Sequence, residues 1–175
     1  MLRIHHLGHS QSERIVWLCE ELGLSYELRH YTRDAVTLLS PPELKALHPL
    51  GAVPVIEDGD LLLAESAAIV DYLIRHYGKG RMQPDPATPA YEEYVQWLHY
   101  TEGSAMWPLL SFLQISSLGP AGAPLMPRIE SELANHLGFI ERTLESRRYL
   151  TGDALTGEEC VMPSQINPPG LNESQ

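Results

Sequence analysis

Ser10 and Ser12 stand either side of Gln11 just ahead of a helical run, and Arg14 follows Ser10 by four residues. Further along, GAVPVIEDGDLLLAESAAIVDYL, residues 51–73, puts Pro54 at the start of a strand pattern and Glu65-Ser66 at the mouth of a helix. Hydroxyls beside the unpaired N–H groups of a helix start can hold an anion. The same serines also read as plain N-caps, Ser12 of the first helix and Ser66 of the later one, which would account for both. A proline in a strand gives up a ladder donor, and sheets accept that mainly at strand starts, edges or special turns. His5, His6 and His9 are not read as a metal site, because His5 and His6 fall on opposite faces of a strand and cannot readily share one ion. The two cysteines, Cys19 and Cys160, form no CxxC, so neither a zinc site nor a dithiol redox motif is expected. Cys19 falls in an apolar helical pattern and reads as a small buried hydrophobe.

These groups need elements to position them. LRIHHL, residues 2–7, reads as a strand, and SERIVWLCEELG as a helix with Ile15, Leu18, Cys19 and Leu22 on one face and Gly23 as its stop. SYELRHY alternates with period two and reads as a second strand, completing βαβ. A short helical piece near PPELKAL precedes VPVI, a turn at Asp58-Gly59, LLLA, and a helix from Ser66 that Gly78 ends. The order βαβ, helix, ββα is that of a thioredoxin-like domain, expected over residues 1–78. Residues 79–89, rich in Gly and Pro, read as a linker, and residues 90–160 as an all-α domain. Within it a long helix from Ala90 to Ile115 is expected to bend or break near Pro108, and Ile129, Leu133, Leu137, Ile140 and Leu144 keep helical spacing in a second. Residues 161–175, with three prolines, read as an irregular tail.

Composition narrows the function. The chain has 175 residues, 43% hydrophobic and 20% charged, enough for a real core in one or two domains. A net charge of -11 and a pI near 5.1 argue against nucleic-acid binding, which needs a basic face. No apolar run reaches a membrane span, and the N-terminus lacks the features of a signal peptide, so a cytoplasmic protein is expected.

HPLGAVPVIEDGDLLLAESAAIVDYL, GHSQSERIVWLCEELGLSYE and YLTGDALTGEE, in this two-domain order, resemble the glutathione S-transferases, closest to their serine-type bacterial and fungal members. The resemblance covers roughly residues 2–160. It implies a cis bond before Pro54, which turns the backbone of Val53 outward to pair with the cysteinyl backbone of glutathione as an added strand would. It implies that Ser66 and the helix start hold the γ-glutamyl carboxylate, with Glu65 facing the ammonium and Gln11 a secondary contact. Ser10, in the spacing SxxxR, resembles the serine that stabilises the glutathione thiolate, with Ser12 the alternative. An electrophile pocket would involve the Ser10 loop with Tyr100, Ser104 and Trp107, for which ordinary helix packing is the competing reading.

The sequence also departs from the family. Many relatives carry a lysine where Ala52 stands, so His48 or another residue would have to meet the glycyl carboxylate. Thr156 with Glu159 resembles a capping box in which relatives have Asp for Glu159. Relatives continue well beyond this point, so the helical domain is expected to be incomplete and to expose apolar helix faces. Two functions follow: a glutathione transferase with glutathione as co-substrate and no other cofactor, or a non-catalytic glutathione-binding or regulatory module left by loss of C-terminal helices. The family resemblance implies detoxification of a small electrophile and a homodimer, if the shortened domain permits one. A thioredoxin-type reductase is excluded for want of a reactive cysteine near residue 10.

Overall fold

The computed structural model describes residues 1–8, 10–37 and 39–162. Two compact units divide after Gln83. The first is built on four strands, β1 (Arg3–Leu7), β2 (Glu27–Tyr31), β3 (Val55–Asp58) and β4 (Leu61–Ala64), in the spatial order β2-β1-β3-β4. β1 is parallel to β2, pairing Ile4 with Leu28, and antiparallel to β3, pairing Ile4 with Ile56. β3 and β4 close a hairpin over Gly59-Asp60, with Asp58 opposite Leu61.

Helices α1 (Ser12–Leu22) and α3 (Ser66–Tyr77) pack on each other, and the short α2 (Pro42–Leu47) precedes the hairpin. The expected apolar stripe of α1, Ile15, Leu18, Cys19 and Leu22, is buried, and α3 buries Ile69, Val70, Leu73 and Ile74. Together with Ile4 and Ile56, fully buried in the sheet, they form this unit's core, each such side chain contributing about 1.5–3 kcal/mol. α1 stops at Gly23, whose φ of 67° lets the chain turn back as expected. Gly78 also follows its helix, but with φ -67°. Its need is space: a Cβ there would lie 2.4 Å from the Ile74 carbonyl oxygen.

The second unit is helical: α4 (Pro89–Tyr100), α5 (Met106–Ser116), α6 (Met126–Leu144) and α7 (Gly157–Val161). The expected break near Pro108 is a widened π-helical turn at Thr101–Ala105, one turn earlier, in which Met106 N–H donates to the Thr101 carbonyl. Proline has no N–H and its ring crowds the carbonyl four residues back, at Ser104, so the distortion falls before it. Trp97, Ile140, Leu150 and Met162 form a core into which Tyr100, Phe139 and Leu144 pack, Trp97 stacking on Phe139 at 4.8 Å. Val161 and Met162, assigned by sequence to the irregular tail, are thus buried, and the remainder of that tail lies outside the described residues. Of the α6 stripe, Ile129 and Ile140 are buried while Leu137 is 41% exposed; Trp107, Leu110 and Leu113 of α5 are exposed too.

The capping box at α7 is not formed. Thr156 is the N-cap, but its hydroxyl donates to Glu158 Oε1 at 2.5 Å, and Glu159 Oε1 accepts from Leu150 N–H at 2.7 Å. The side chain of Glu, one methylene longer than Asp, ties α7 to the preceding loop rather than to its own cap.

Candidate functional site

The link from β1 to α1 carries the hydroxyls. Ser12 is not the N-cap of α1 but its first residue; Gln11 holds the cap position in helical conformation, with no side-chain capping bond. The reason lies in what Ser12 finds instead. Fully buried, its Oγ accepts from Leu7 N–H at 3.2 Å and lies 2.9 Å from His6 Nδ1 and 2.7 Å from Ser10 Oγ. Ser10 is half-buried and donates to the Leu7 carbonyl at 2.5 Å. Of the two serines, Ser10 has the hydroxyl nearer to solvent. His6 is held below the ordinary histidine range, first by burial and then by neighbouring His30, against a smaller opposite effect of Glu13.

Beside this link an open cleft of ≈ 380 Å³ is lined by Gln11, His48, Leu50, Ala52, Val53, Pro54, Ala64, Glu65 and Ser66. The Val53-Pro54 bond is cis. Val53 lies just outside the ladder, since β3 begins at Val55. Ser66, read from sequence as an N-cap, is again the first helical residue: Glu65 takes the cap position with φ 74° and ψ 116° and no side-chain capping bond. A positive φ in a residue other than glycine costs about 1–3 kcal/mol and marks a place where the surroundings dictate the backbone. That geometry turns the chain from β4 into α3 and leaves Glu65 exposed at the cleft while Ser66 is buried. Arg14 Nη1 donates to Ser66 Oγ at 3.4 Å, bringing a cation from α1 to the start of α3.

The cleft therefore gathers five of the sequence candidates, Gln11, Val53, Pro54, Glu65 and Ser66, with Ser10 adjacent in the chain though not a wall of the cleft. His48 and Ala52 share it, and His48 Nδ1 accepts from Leu50 N–H at 3.4 Å. Tyr100, Ser104 and Trp107 belong to the other unit. There Tyr100 OH bonds His136 Nδ1 at 2.7 Å and its ring packs on Trp97 and Phe139, whereas Ser104 and Trp107 are exposed. Sequence reasoning gave Arg14 no binding role of its own and missed His6. Arg14 was visible in the SxxxR spacing; His6, six residues before Ser12 across a strand end, follows no helical or strand period. Cys19 is buried, with its thiol pushed up to about 12 by burial first, and offers no nucleophile.

A thioredoxin-like sheet with a cis-proline cleft, the start of α3 at its edge and a helical unit behind it in the chain matches known proteins closely. Residues 4–75 match the family profile described as glutathione S-transferase, N-terminal domain. The chain is 31% identical over 176 residues to glutathione S-transferase 3 of Schizosaccharomyces pombe, covering 93% of this chain and 72% of that one. It is 30% identical over 183 residues to glutathione S-transferase 1 of Saccharomyces cerevisiae, with 93% and 78% covered. A crystal structure of a glutathione S-transferase from Actinobacillus pleuropneumoniae superposes with a TM-score of 0.83 at 38% identity, covering 93% of this chain and 74% of that one. The chain belongs to the glutathione S-transferase family.

Proposed function

We propose that this chain is a catalytic glutathione transferase whose Ser10 holds the thiolate of glutathione for attack on a small electrophile. The observation that carries the reading is the cleft at the start of α3, where Gln11, Val53, Pro54, Glu65 and Ser66 meet. The γ-glutamyl carboxylate lies at Ser66 and the first N–H groups of α3, where the helix dipole and nearby Arg14 favour an anion. Glu65 faces the ammonium. The free backbone of Val53 pairs with the cysteinyl unit, and His48 takes the glycyl carboxylate in place of a lysine at position 52.

The thiol of glutathione is only a few per cent ionised near neutral pH, and the thiolate is the nucleophile. A hydrogen bond to a charged acceptor, worth about 1.5–3 kcal/mol, lowers a pKa by about one to two units. Ser10 supplies it by turning its O–H from the Leu7 carbonyl to sulfur. The new S–C bond uses the sulfur electron pair, and a halide or other leaving group departs with the pair of the broken bond. Residues 1–78 serve as the glutathione domain, 79–89 as the linker and 90–160 as the helical domain. Ser104 and Trp107, exposed, are better placed to touch an electrophile than Tyr100, whose hydroxyl is engaged by His136. The transferases among the relatives support catalysis over the binding-module alternative. A homodimer and a detoxifying role are carried over from the family resemblance, and a cytoplasmic setting from the sequence reading.

The test pairs retention on immobilised glutathione with conjugation of a chlorinated nitrobenzene. Ser10→Ala is expected to keep retention and to lose about 10- to 100-fold in kcat/KM near neutral pH, the equivalent of one to two pKa units. Retention without turnover in the unmodified protein would favour the binding module, and turnover indifferent to the substitution would remove Ser10 from the mechanism.

A further inference from the structure

We propose that His6 is a positioning residue for Ser10: its Nδ1–H donates to Ser12 Oγ, Ser12 donates to Ser10 Oγ, and Ser10 is left to aim its one hydrogen at the glutathione sulfur. The inference rests on the proposed role of Ser10 and deepens it.

His6 Nδ1, Ser12 Oγ and Ser10 Oγ lie in a row, separated by 2.9 and 2.7 Å. Each hydroxyl has one hydrogen to give. Ser12 Oγ already receives Leu7 N–H at 3.2 Å, and Ser10 Oγ receives Ser12 N–H at 3.3 Å, so the backbone fixes both oxygens as acceptors and leaves the hydroxyl hydrogens to choose a direction. If Nδ1 held a lone pair, Ser12 would donate to it, Ser10 would donate to Ser12 or to the Leu7 carbonyl, and the row would run away from the ligand. With the proton on Nδ1, the Ser12 hydrogen has the Leu7 carbonyl at 3.3 Å and Ser10 Oγ at 2.7 Å before it; on the shorter bond the row runs outward, and each bond polarises the next. Ser12 is buried and cannot itself reach a ligand, which suits it to the middle of a relay.

The groups facing the ring are His30 of β2, edge-on at 5.0 Å, and Glu13 of α1. Burial and His30 disfavour the charged imidazole, so the device is a choice of tautomer and not a charge. Rotation about the Ser10 Cβ–Oγ bond then moves its hydrogen from the Leu7 carbonyl to sulfur.

The experiment follows the ultraviolet absorbance of the bound thiolate against pH in the full chain and in Ser10→Ala, His6→Leu, His6→Asn and Ser12→Ala. Affinity for S-methylglutathione, which has no ionisable thiol, is measured alongside. Ser10→Ala is expected to raise the thiol pKa by about one to two units, and His6→Leu and Ser12→Ala by about half as much. The double variant His6→Leu/Ser12→Ala should add little to either change, because both break one row. His6→Asn, whose amide N–H falls near the old Nδ1, should return the thiol pKa to the unmodified value, and S-methylglutathione affinity should stay constant throughout. If Ser10→Ala raises the thiol pKa but His6→Leu does not, or if His6→Asn behaves as His6→Leu, the relay is wrong while Ser10 stands. If Ser10→Ala leaves the thiol pKa unmoved, the role of Ser10 falls and the relay with it. Should His6→Leu fail to fold, Ser12→Ala and His6→Asn decide alone: a thiol pKa unchanged by the first or raised by the second overturns the relay.

Discussion

Glu57 and Asp58, at the end of β3, are surrounded by donors. Glu57 Oε1 lies 2.7 Å from His5 Nε2 and accepts from Arg3 Nη1 at 3.1 Å, while Asp58 Oδ2 accepts from the hydroxyls of Tyr77 and Tyr72. Those bonds, His5 first for Glu57 and Tyr77 first for Asp58, hold both carboxyls below their ordinary range. Glu158 and Glu159, in α7 of the other unit, are buried, and burial outweighs the bonds they receive from Thr151, Thr156 and Leu150 N–H. Glu158 Oε1 takes both hydroxyls, whereas Oε2 has no partner among the described residues. The contrast teaches that depth can override donors: hydrogen bonds stabilise a carboxylate near the surface, and desolvation defeats similar bonds in the interior. It also gives the two units opposite responses to pH.

The largest effect is expected at Glu158, whose carboxyl is pushed up to about 7, desolvation being the first cause. A group whose folded pKa is raised contributes stability that is complete below its unfolded value and is lost as pH rises through the folded one. The second unit should therefore weaken between about pH 5 and pH 8, by about 3 kcal/mol for the rise from 4.5 to 7 at 1.36 kcal/mol per unit. Glu158→Gln should flatten that dependence and stabilise the alkaline side. Urea midpoints followed by fluorescence of Trp97 and Trp107 at a series of pH values would show it. A flat profile in the unmodified chain would mean that Glu158 has found a partner for its charge.

The first unit offers the mirror experiment. Asp58 is depressed, so its contribution is present above its unfolded value of 3.8 and is lost as pH falls through the folded one. Asp58→Asn should cost about 1–2 kcal/mol near neutral pH, the worth of charge-assisted bonds at a partly exposed site, and little in strong acid. Trp17 is the one tryptophan of residues 1–83, so with Trp97 and Trp107 replaced by Phe its fluorescence reports on that unit separately. Equal losses at pH 3 and pH 7 would show that shape rather than charge holds the two tyrosines.

Much of the first unit was legible in the sequence because its signals are local. The period-two run at β2, the apolar stripe of α1, and the Asp-Gly hairpin each lie within a few residues of the structure they produce. The cleft was legible for a related reason: one stretch, residues 51–66, carries most of its wall. What misled were the serines. Ser12 and Ser66 are good N-caps by residue type, yet both begin their helices, because Gln11 and Glu65 take the cap positions with backbone angles that their side chains do not advertise. The pairing of His6 with Ser12 and of Arg14 with Ser66 joins different elements, and no spacing rule reports it. In the second unit, helical periodicity located α6 and its stripe, but a stripe marks a face without saying how much of it is covered: Ile129 and Ile140 are buried and Leu137 is exposed.

Glu65 gives the smallest expected change in stability and one with a sign opposite to that in function. Its φ of 74° is held against the preference of a side-chain-bearing residue, whereas glycine adopts it freely. No capping bond from its side chain stabilises α3, so the helix has nothing of that kind to lose. Glu65→Gly should then raise stability by about 1 kcal/mol, the relief of strain less the extra entropy glycine gives the unfolded chain. If the carboxylate meets the ammonium of glutathione, the same substitution should weaken retention on immobilised glutathione. A thermal transition that moves up while glutathione affinity falls would place the strain at Glu65 in the service of binding. A rise in both would sever the backbone geometry from the ligand and leave Glu65 as a turn residue, returning the comparison between the units to their carboxylates alone.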